Sequence, residues 1–512
     1  MRRVDHCGRG LGACPSIRSG SWASTAARLR GAAEATIVVG EERRSGRAAP
    51  PQPEGQSGVA AAFHGRSGIL SRGRPLLVVA LAFLASTGLS RAAGLVDLYL
   101  QARENDPTFR QTEFQLQIAD EIMREARAGL LPVVDGSAER VRSFQEVSET
   151  ESFLFQEGKR DFDTMNWTVS LTQPVYRSAS LRRLPQARAE VRQAEAAFAA
   201  SEQDLMFRVA QAQFNFMAAR DNLELSTAER MANYRQLLET EERMGSGLAT
   251  ITDLHDARAR FALSEAAESL AEDTLEDSRR AIEEITGQPP GDAARLSESF
   301  PFVEPDEPNV DAWVEAAMFQ NHTIRARIEG QEIARLEVRR QQGAYLPTLD
   351  LVAAYNDRDT EGTVFGGGNQ TVSTDVSLRL AVPLFEGGRR IALTNAAALR
   401  ESISGEDLER EKRRVEREAR AAFYGVTNGI ERVNALRTSV FSNERAVAAK
   451  EEGFRSGIST GLIVLDARRD LYSALRDLAQ SRYLYVLNSV KLKQSAGTLG
   501  VSDLRAIDAH LQ

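Results

Sequence analysis

The five residues Ser456-Gly-Ile-Ser-Thr460 are matched by Ser246-Gly-Leu-Ala-Thr250, and Asp466-Ala-Arg468 is matched by Asp256-Ala-Arg258. Both matches have the same offset of 210 residues. One match of this size is uninformative, but two that share an offset and an order indicate that the second half of the chain repeats the first. The duplication decides the fold, because each copy must then form the same set of helices and strands.

Three further matches extend the duplication toward the start of each copy. Their offsets lie between 209 and 215 residues, and they keep the same order along the chain. They are Val96-Asp97 with Val310-Asp311, Leu131-Pro132 with Leu346-Pro347, and Gln173-Pro-Val-Tyr176 with Val382-Pro-Leu-Phe385. We therefore predict a first structural repeat over 94–287, a proline-rich linker over 288–309 and a second structural repeat over 310–512.

Each copy is predicted to contain a helix, a pair of strands and two long helices that meet at a glycine turn. The strands are clearest in the second copy, where Asp375–Val382 and Leu349–Tyr355 alternate apolar and mostly polar residues. The polar segment Asn356–Gln370 between them predicts a hairpin with a long loop. In the first copy Asn166–Leu171 alternates well, whereas its partner near 133–143 alternates poorly.

The helices that follow the strands are unusually long. Helical periodicity runs from about Ser180 to Met244, which spans about 95 Å, and again from Arg389 to Arg455. Pro185 falls near the predicted start of the first helix, where proline is tolerated. Apolar and small residues recur there at alternating spacings of three and four, as in a coiled-coil seam: Val191, Ala194, Phe198, Ser201 and Leu205. A helix of this length needs neighbouring helices for stability.

The first 93 residues differ from the rest of the chain. Residues 1–70 are rich in Arg, Gly, Ser, Ala and Pro, and we interpret them as translated sequence upstream of the true start, with a disordered segment as the alternative. Residues 71–93 combine basic residues, an apolar core over Pro75–Leu84 and small residues, which is the pattern of a secretory signal peptide. The mature protein is expected to begin near residue 93 and to leave the cytoplasm.

Composition argues against several kinds of protein. The net charge of −8 disfavours nucleic acid as a partner, and no apolar run reaches the ~20 residues of a transmembrane helix. Both cysteines precede residue 94, and the five histidines have no metal-ligand spacing. Asp253, His255 and Asp256 are the one group that suggests an active site, but on a helix His255 points away from the other two. We expect no enzymatic activity, no metal and no cofactor.

Four strands are too few to close a barrel, and an open sheet edge cannot lie in lipid. Three chains supply 12 strands, within the range of outer-membrane barrels, and twelve long helical segments. We predict an α+β fold in which the duplicated strand-pair and long-helix-pair unit forms a homotrimer. Its 12-stranded β-barrel lies in outer-membrane lipid and is continued by a periplasmic α-helical barrel. A soluble coiled-coil protein with incidental hairpins is the alternative.

Residues 94–505 resemble the TolC-like outer-membrane channels, the trimeric exit ducts of drug efflux and type I secretion systems. The most specific segment is Gly453–Ala467, and its first-copy counterpart Arg243–Arg258 is nearly as specific. The stretch Pro383–Gly388 is similar to the family's junction between barrel and helices, although Arg177-Ser178 stands in place of the glycine pair in the first copy.

The resemblance implies a passive export channel whose strands lie in the outer membrane and whose helices cross the periplasm. Its implied partners are a periplasmic adaptor, or membrane fusion protein, and an inner-membrane pump of the ABC or proton-driven kind. The cargo stays open between proteins, drugs and other small molecules. A periplasm-spanning structural protein, similar to an adhesin and without transport activity, is the alternative function.

The resemblance also implies a periplasmic gate. Asp253 and Asp466 match positions at which a trimer forms rings of three carboxylates, which favour cations. Phe454 and Ser459 stand where a tyrosine and an arginine complete the family's ionic lock, and Ile463 replaces another aspartate. We therefore expect closure to depend more on apolar packing than on ion pairs, with Arg243 or Arg455 as candidate replacements for the missing cation. The alternative is that both aspartates are ordinary solvated residues near helix starts.

The resemblance implies three sets of functional residues. The implied gate consists of Thr252, Asp253, Phe454, Ser459, Ile463 and Asp466. The implied adaptor-contacting tip consists of Arg243, Gly245, Gly247, Leu248, Arg455, Gly457 and Ile458. The implied junction between barrel and helices consists of Pro174, Pro383, Gly387 and Gly388.

Overall fold

The computed structural model describes residues 94–149, 158–291, 295–363 and 367–511, so the predicted leader over 1–93 lies outside the described residues. In chain order the elements are α1 (Leu95–Asn105), α2 (Pro107–Ala128), β1 (Val133–Val147), β2 (Gly158–Tyr176), α3 (Ser178–Gly245), α4 (Ile251–Thr286), α5 (Val310–Gln320), α6 (His322–Gly343), β3 (Thr348–Thr360), β4 (Asn369–Ala381), α7 (Arg389–Arg455), α8 (Gly461–Ser495) and α9 (Val501–Asp508).

The order of elements repeats: two short helices, two strands and two long helices occur twice, and α9 follows the second set. The sequence predicted one helix before each strand pair, whereas the structure has two. The break in the first copy lies at Asp106, whose carboxylate accepts a hydrogen bond from the Phe109 amide at 2.8 Å while Pro107 begins the next helix. Asn321 caps α6 in the same way, accepting from the Thr323 amide at 2.9 Å.

The four strands form one antiparallel sheet in the order β1-β2-β3-β4. Both hairpins are longer than predicted, because part of the segment expected to be a loop is paired. Asn356 lies opposite Ser373, and Arg358 lies opposite Thr371. Ladder hydrogen bonds need no apolar side chains, so the strands continue past the point where apolar alternation ends. The alternation in the sequence marked only the part of each strand that has an apolar face.

One face of the sheet is apolar and solvent-exposed. Residues opposite each other on neighbouring strands share a face, so the register assigns every side chain to one side. The apolar side chains include Val134, Trp167, Val169, Leu171, Leu351, Tyr355, Val376, Leu378 and Leu380. Leu378 and Leu380 are 64% and 63% exposed in the single chain.

The opposite face of the sheet is polar and concave. Its hollow is lined mainly by hydroxyl, amide and charged side chains: Glu139, Ser143, Thr164, Asn166, Asn356, Arg358, Thr371 and Ser373. A sheet with one apolar and one polar face matches the wall of a membrane barrel with a polar interior.

The long helices α3 and α7 contain 68 and 67 residues, about 100 Å each. α3 begins at Ser178, so Pro185 lies about two turns inside it, deeper than the sequence analysis placed it. The main apolar core forms where α3 and α8 meet the short helices, around side chains such as Tyr99, Leu205, Phe214, Val486 and Leu504. Within the described ranges, no helix has the length and apolar character that a membrane span needs.

Candidate functional site

Two helical hairpins end in matching glycine turns. Gly247 and Gly457 each have a φ of +74°, a conformation that glycine adopts without strain. The Leu248 amide donates to the Arg243 carbonyl at 2.8 Å, and the Ile458 amide donates to the Gly453 carbonyl at 2.8 Å. Each helix thus ends in a Schellman motif, in which the amide that follows a glycine of left-handed conformation donates to a carbonyl in the last helical turn. Leu248 and Ile458 follow the turns and are 73% and 86% exposed.

The two returning helices begin differently, although their turns match. The Thr250 hydroxyl accepts a hydrogen bond from the Asp253 amide at 3.2 Å, and the Asp253 carboxylate accepts from the Thr250 amide at 2.9 Å and from its hydroxyl at 2.7 Å. This is a capping box. Thr460 makes no side-chain cap. Ile463 occupies the position equivalent to Asp253, so the second copy also lacks the carboxylate that completes a capping box.

The capping box sets the ionisation of Asp253. The Thr250 hydroxyl, and next its backbone amide, lower the pKa of the Asp253 carboxyl from its ordinary value of 3.8, against a smaller opposing effect of burial. Asp253 is therefore a carboxylate at neutral pH, with one oxygen committed to the start of α4.

Asp466 has a different partner. Its carboxylate lies 2.6 Å from the Arg260 guanidinium and 3.8 Å from that of Arg469. Arg260 is on α4 and Asp466 is on α8, so this ion pair joins the two hairpins. No local sequence pattern indicates Arg260, because the two residues are 206 positions apart and only the packing of the hairpins brings them together.

A second pair of ionic contacts reflects the duplication. Arg258 contacts Glu241 at 3.0 Å, and Arg468 contacts Glu451 at 2.6 Å. In both cases the arginine reaches back 17 residues, from the second arm of its hairpin to the first. These contacts fix the two arms of each hairpin relative to each other, and comparison of the two copies could have found them.

Phe454, a predicted gate residue, contacts the first hairpin. The guanidinium carbon of Arg243 lies 4.2 Å from the centre of the Phe454 ring, a cation–π contact between α3 and α7. Arg455 instead pairs with Glu452 of its own helix at 3.3 Å. Of the two candidate cations, only Arg243 contacts a predicted gate residue in the part of the chain that the structure describes.

The remaining predicted gate residues, and Gly245 of the predicted tip, lie near the two turns. The Ser459 amide donates to the Gly453 carbonyl at 3.0 Å, which keeps Ser459 in its own turn. Thr252 and Ile463 are exposed near the starts of α4 and α8. Gly245 is the last residue of α3.

The junction between strands and helices differs between the copies. Pro174 lies in β2 opposite Asp350, next to an irregularity in the pairing. Arg177 then holds Asp350 through two hydrogen bonds of 2.7 and 2.9 Å, and α3 begins at the next residue.

In the second copy a segment over 382–388, which contains Pro383, separates β4 from α7. Gly387 and Gly388 have φ values of +59° and +83°, so this segment needs the glycine pair that the first copy lacks.

Across the described ranges, no group of three or more His, Cys, Asp or Glu residues could hold a metal ion. His255 is exposed and lies beside Asp256 on α4.

Comparison with known proteins identifies the family. The family described as outer membrane efflux protein matches residues 98–288 and 313–498. The chain is 33% identical to the outer membrane protein TolC of Vibrio cholerae over 423 residues, which covers 82% of this chain and 94% of that protein. It is 30% identical to the proteases secretion protein PrtF of Dickeya chrysanthemi, with 85% and 95% covered.

Solved structures share the fold at low sequence identity. The CmeC outer membrane channel of Campylobacter jejuni superposes with a TM-score of 0.68 at 16% identity, covering 82% of this chain and 90% of that one. CusC superposes with a TM-score of 0.67 at 16% identity, covering 80% and 95%.

The duplicated hairpins, the two-faced sheet and these matches agree with each other. The protein is a TolC-like outer-membrane channel, and its family is one of channels rather than enzymes. The chain belongs to the outer membrane efflux protein family.

Proposed function

We propose that three copies of this chain form one exit duct, which conducts substrates passively across the periplasm and the outer membrane. The sheets of the three copies close into a 12-stranded barrel, and the long helices continue it as a tunnel toward the inner membrane. A periplasmic adaptor and an energised inner-membrane pump complete a tripartite efflux or type I secretion system. This chain contributes the passage and no chemical step.

The observation that carries the proposal is the sheet itself. Its outer face exposes a band of large apolar side chains, its inner face is polar and concave, and both β1 and β4 are edge strands. Such edges cannot be left unpaired in hydrocarbon, where each free backbone group costs several kcal/mol. When further copies close the barrel, the backbone groups of both edge strands form hydrogen bonds, and the polar face surrounds a lumen.

The length of the helices supports the second half of the duct. Helices of about 100 Å are far longer than a globular domain needs, and they match the depth of an aqueous compartment to be crossed. Their tips expose Leu248 and Ile458, which offers a periplasmic partner an apolar surface on each hairpin.

The gate belongs to the same proposal. Thr252, Asp253, Phe454, Ser459, Ile463 and Asp466 surround the narrow end, where each residue of one copy occurs three times. The Arg260–Asp466 and Arg243–Phe454 contacts support a closed state in which the two hairpins of one chain hold each other. Opening requires the hairpins to separate, so both contacts must break.

For the cargo class, the names of similar proteins supply two candidates. Similar proteins are named for protease secretion, PrtF and AprF, and for efflux, such as BepC of Brucella suis. The polar, hydroxyl-lined concave face of the sheet fits an extended polypeptide as well as small polar molecules.

Reconstitution of the detergent-extracted protein in planar lipid bilayers tests the proposal. A duct gives discrete conductance steps from a particle with the mass of three chains. A structural spacer with a closed or unlined tube gives a stable bilayer without steps, and that result would reject the duct.

A further inference from the structure

The polar faces of the two edge strands carry four exposed charged side chains that make no ion pair with any residue that the structure describes: Asp135 and Glu139 on β1, and Asp375 and Arg379 on β4. Arg379 is the one cation among these four. Asp350 lies opposite Arg379 on β3, but the bidentate contact with Arg177 already engages its carboxylate. All four charges thus lie on the two strands that have an open edge.

The duplication supplies a template for the missing strand pairing. Within the chain, β2 of the first copy pairs with β3 of the second copy, with Thr172 opposite Val352. β4 is the repeat of β2, at an offset of 209 residues, and β1 is the repeat of β3, at an offset of 215 residues. A pairing of β4 with β1 of another copy that repeats the β2–β3 pairing therefore places Ala381 opposite Ser137.

Because the strands run antiparallel, each step back along β4 is a step forward along β1. Arg379 then lies directly opposite Glu139 of the neighbouring copy, and Leu380 lies opposite Ala138. The apolar and polar faces of both strands stay aligned, and Val147 at the end of β1 falls opposite Thr371. The register derived from the offsets thus places Arg379, the one cation of the four unpaired charges, opposite a carboxylate of the next copy, although charge played no part in deriving it.

Other registers that keep the faces aligned lose this match. A slip of two residues places Arg379 opposite Ser137 or Val141, which carry no charge. A slip of four residues that places Arg379 opposite Asp135 also places Asp375 opposite Glu139, and directly opposed like charges destabilise a sheet.

We propose that β4 of one copy pairs with β1 of the next in this register, with an Arg379–Glu139 ion pair across each seam on the lumenal side. The partner is a second copy of this chain, so the inference rests on the proposed function. A ring of three copies contains the pair three times, and the pair selects the register in which the barrel closes.

Charge reversal tests the ion pair. Arg379→Glu and Glu139→Arg each place like charges opposite one another in three seams, so each lowers the midpoint temperature at which the trimer dissociates in dodecyl sulfate. The double variant Glu139→Arg with Arg379→Glu restores the midpoint to within error of the unaltered protein. The decrease in midpoint temperature of the single variants becomes smaller in 1 M salt, where the electrostatic screening length is about 3 Å.

A matched control introduces the carboxylate at another lumenal position of β4. Thr371→Glu combined with Glu139→Arg shows no such rescue, because residue 371 faces Val147 in the proposed register. Equal rescue by Thr371→Glu, or no rescue by the paired reversal, would overturn the ion pair.

Cysteine cross-linking separates the register from the assembly, since residues 94–512 contain no cysteine of their own. Leu380→Cys with Ala138→Cys forms covalent dimers and trimers in isolated outer membranes, whereas Leu378→Cys with Ala138→Cys does not. Stronger cross-linking of the second pair would reject the register and leave the trimeric duct intact. Monomers in native membranes with either pair would reject the duct together with the seam.

Discussion

At the scale of single residues, one substitution breaks the symmetry of the two tips. The position that is Asp253 in the first copy is Ile463 in the second, and the capping box occurs only in the first. Sequence comparison found both positions, but it did not indicate that Asp253 holds the start of its own helix. A gate role and a capping role place different demands on one carboxylate, and the structure gives direct evidence for the second.

The capping box predicts unequal effects of the same mutation in the two copies. Thr250→Ala removes the hydroxyl that accepts a hydrogen bond from the Asp253 amide, so it should destabilise the first turns of α4 by about 0.5–2 kcal/mol. Thr460→Ala removes no cap and should leave α8 within error of the unaltered protein. Hydrogen exchange measured by mass spectrometry over both tips decides this, and equal loss of protection in the two variants would contradict the account.

At the scale of elements, the sequence predicted the parts that have a strong period or a strong local signal. The long helices, the glycine turns and the apolar face of β4 all followed from spacing. The extra length of the hairpins did not, because Asn356 to Thr360 pair through the backbone without an apolar pattern. Arg260 was missed for a different reason: its partner Asp466 lies on another hairpin, and no local pattern encodes that contact.

The two faces of β4 predict opposite tolerance to charge. Leu378→Arg places a cation in the lipid and should cost about 2–4 kcal/mol if the position is near the bilayer midplane. Ser377→Arg points the same side chain into the polar face and should be tolerated. Folding titrations into lipid vesicles measure both, and equal costs would show that the strand register or the barrel assignment is wrong.

The ion pair between the hairpins predicts a change in resting conductance. Arg260→Gln removes the cation that holds Asp466, so the two hairpins should separate more readily and the resting single-channel conductance should rise. The matched control is Arg258→Gln, which breaks a contact within one hairpin and should leave the conductance unchanged. A rise of the same size in both variants would assign the effect to general loosening of the tip rather than to the contact between hairpins.

At the scale of the whole molecule, the proposed trimer turns each predicted gate carboxylate into a ring. Because the pKa of Asp253 is held below its ordinary value of 3.8, this ring stays charged at neutral pH and should favour cations. Asp253→Asn should reduce the cation preference, and Asp466→Asn should reduce it less, because Arg260 already compensates the charge of Asp466. Reversal potentials in a salt gradient measure the preference, and an unchanged value in the double variant would remove both aspartates from the pore.

The same pKa gives the direction of the pH dependence. The ionised Asp253 stabilises the folded cap at every pH above the carboxyl's ordinary value, and this contribution is lost as the pH falls through the lowered pKa. Cation preference should therefore be constant from pH 8 to pH 5 and should decline only in stronger acid. A decline centred between pH 6 and 7 would mean that another group controls the gate.

The central claim is that three chains close one barrel and continue it as one tunnel. A three-dimensional reconstruction of the protein extracted from outer membranes tests this claim most directly. The account predicts threefold symmetry, 12 strands with β1 of one copy beside β4 of the next, and a lumen that runs without interruption from the barrel into the helical cylinder. Single chains with free sheet edges, or an assembly in which the helices enclose no lumen, would contradict it.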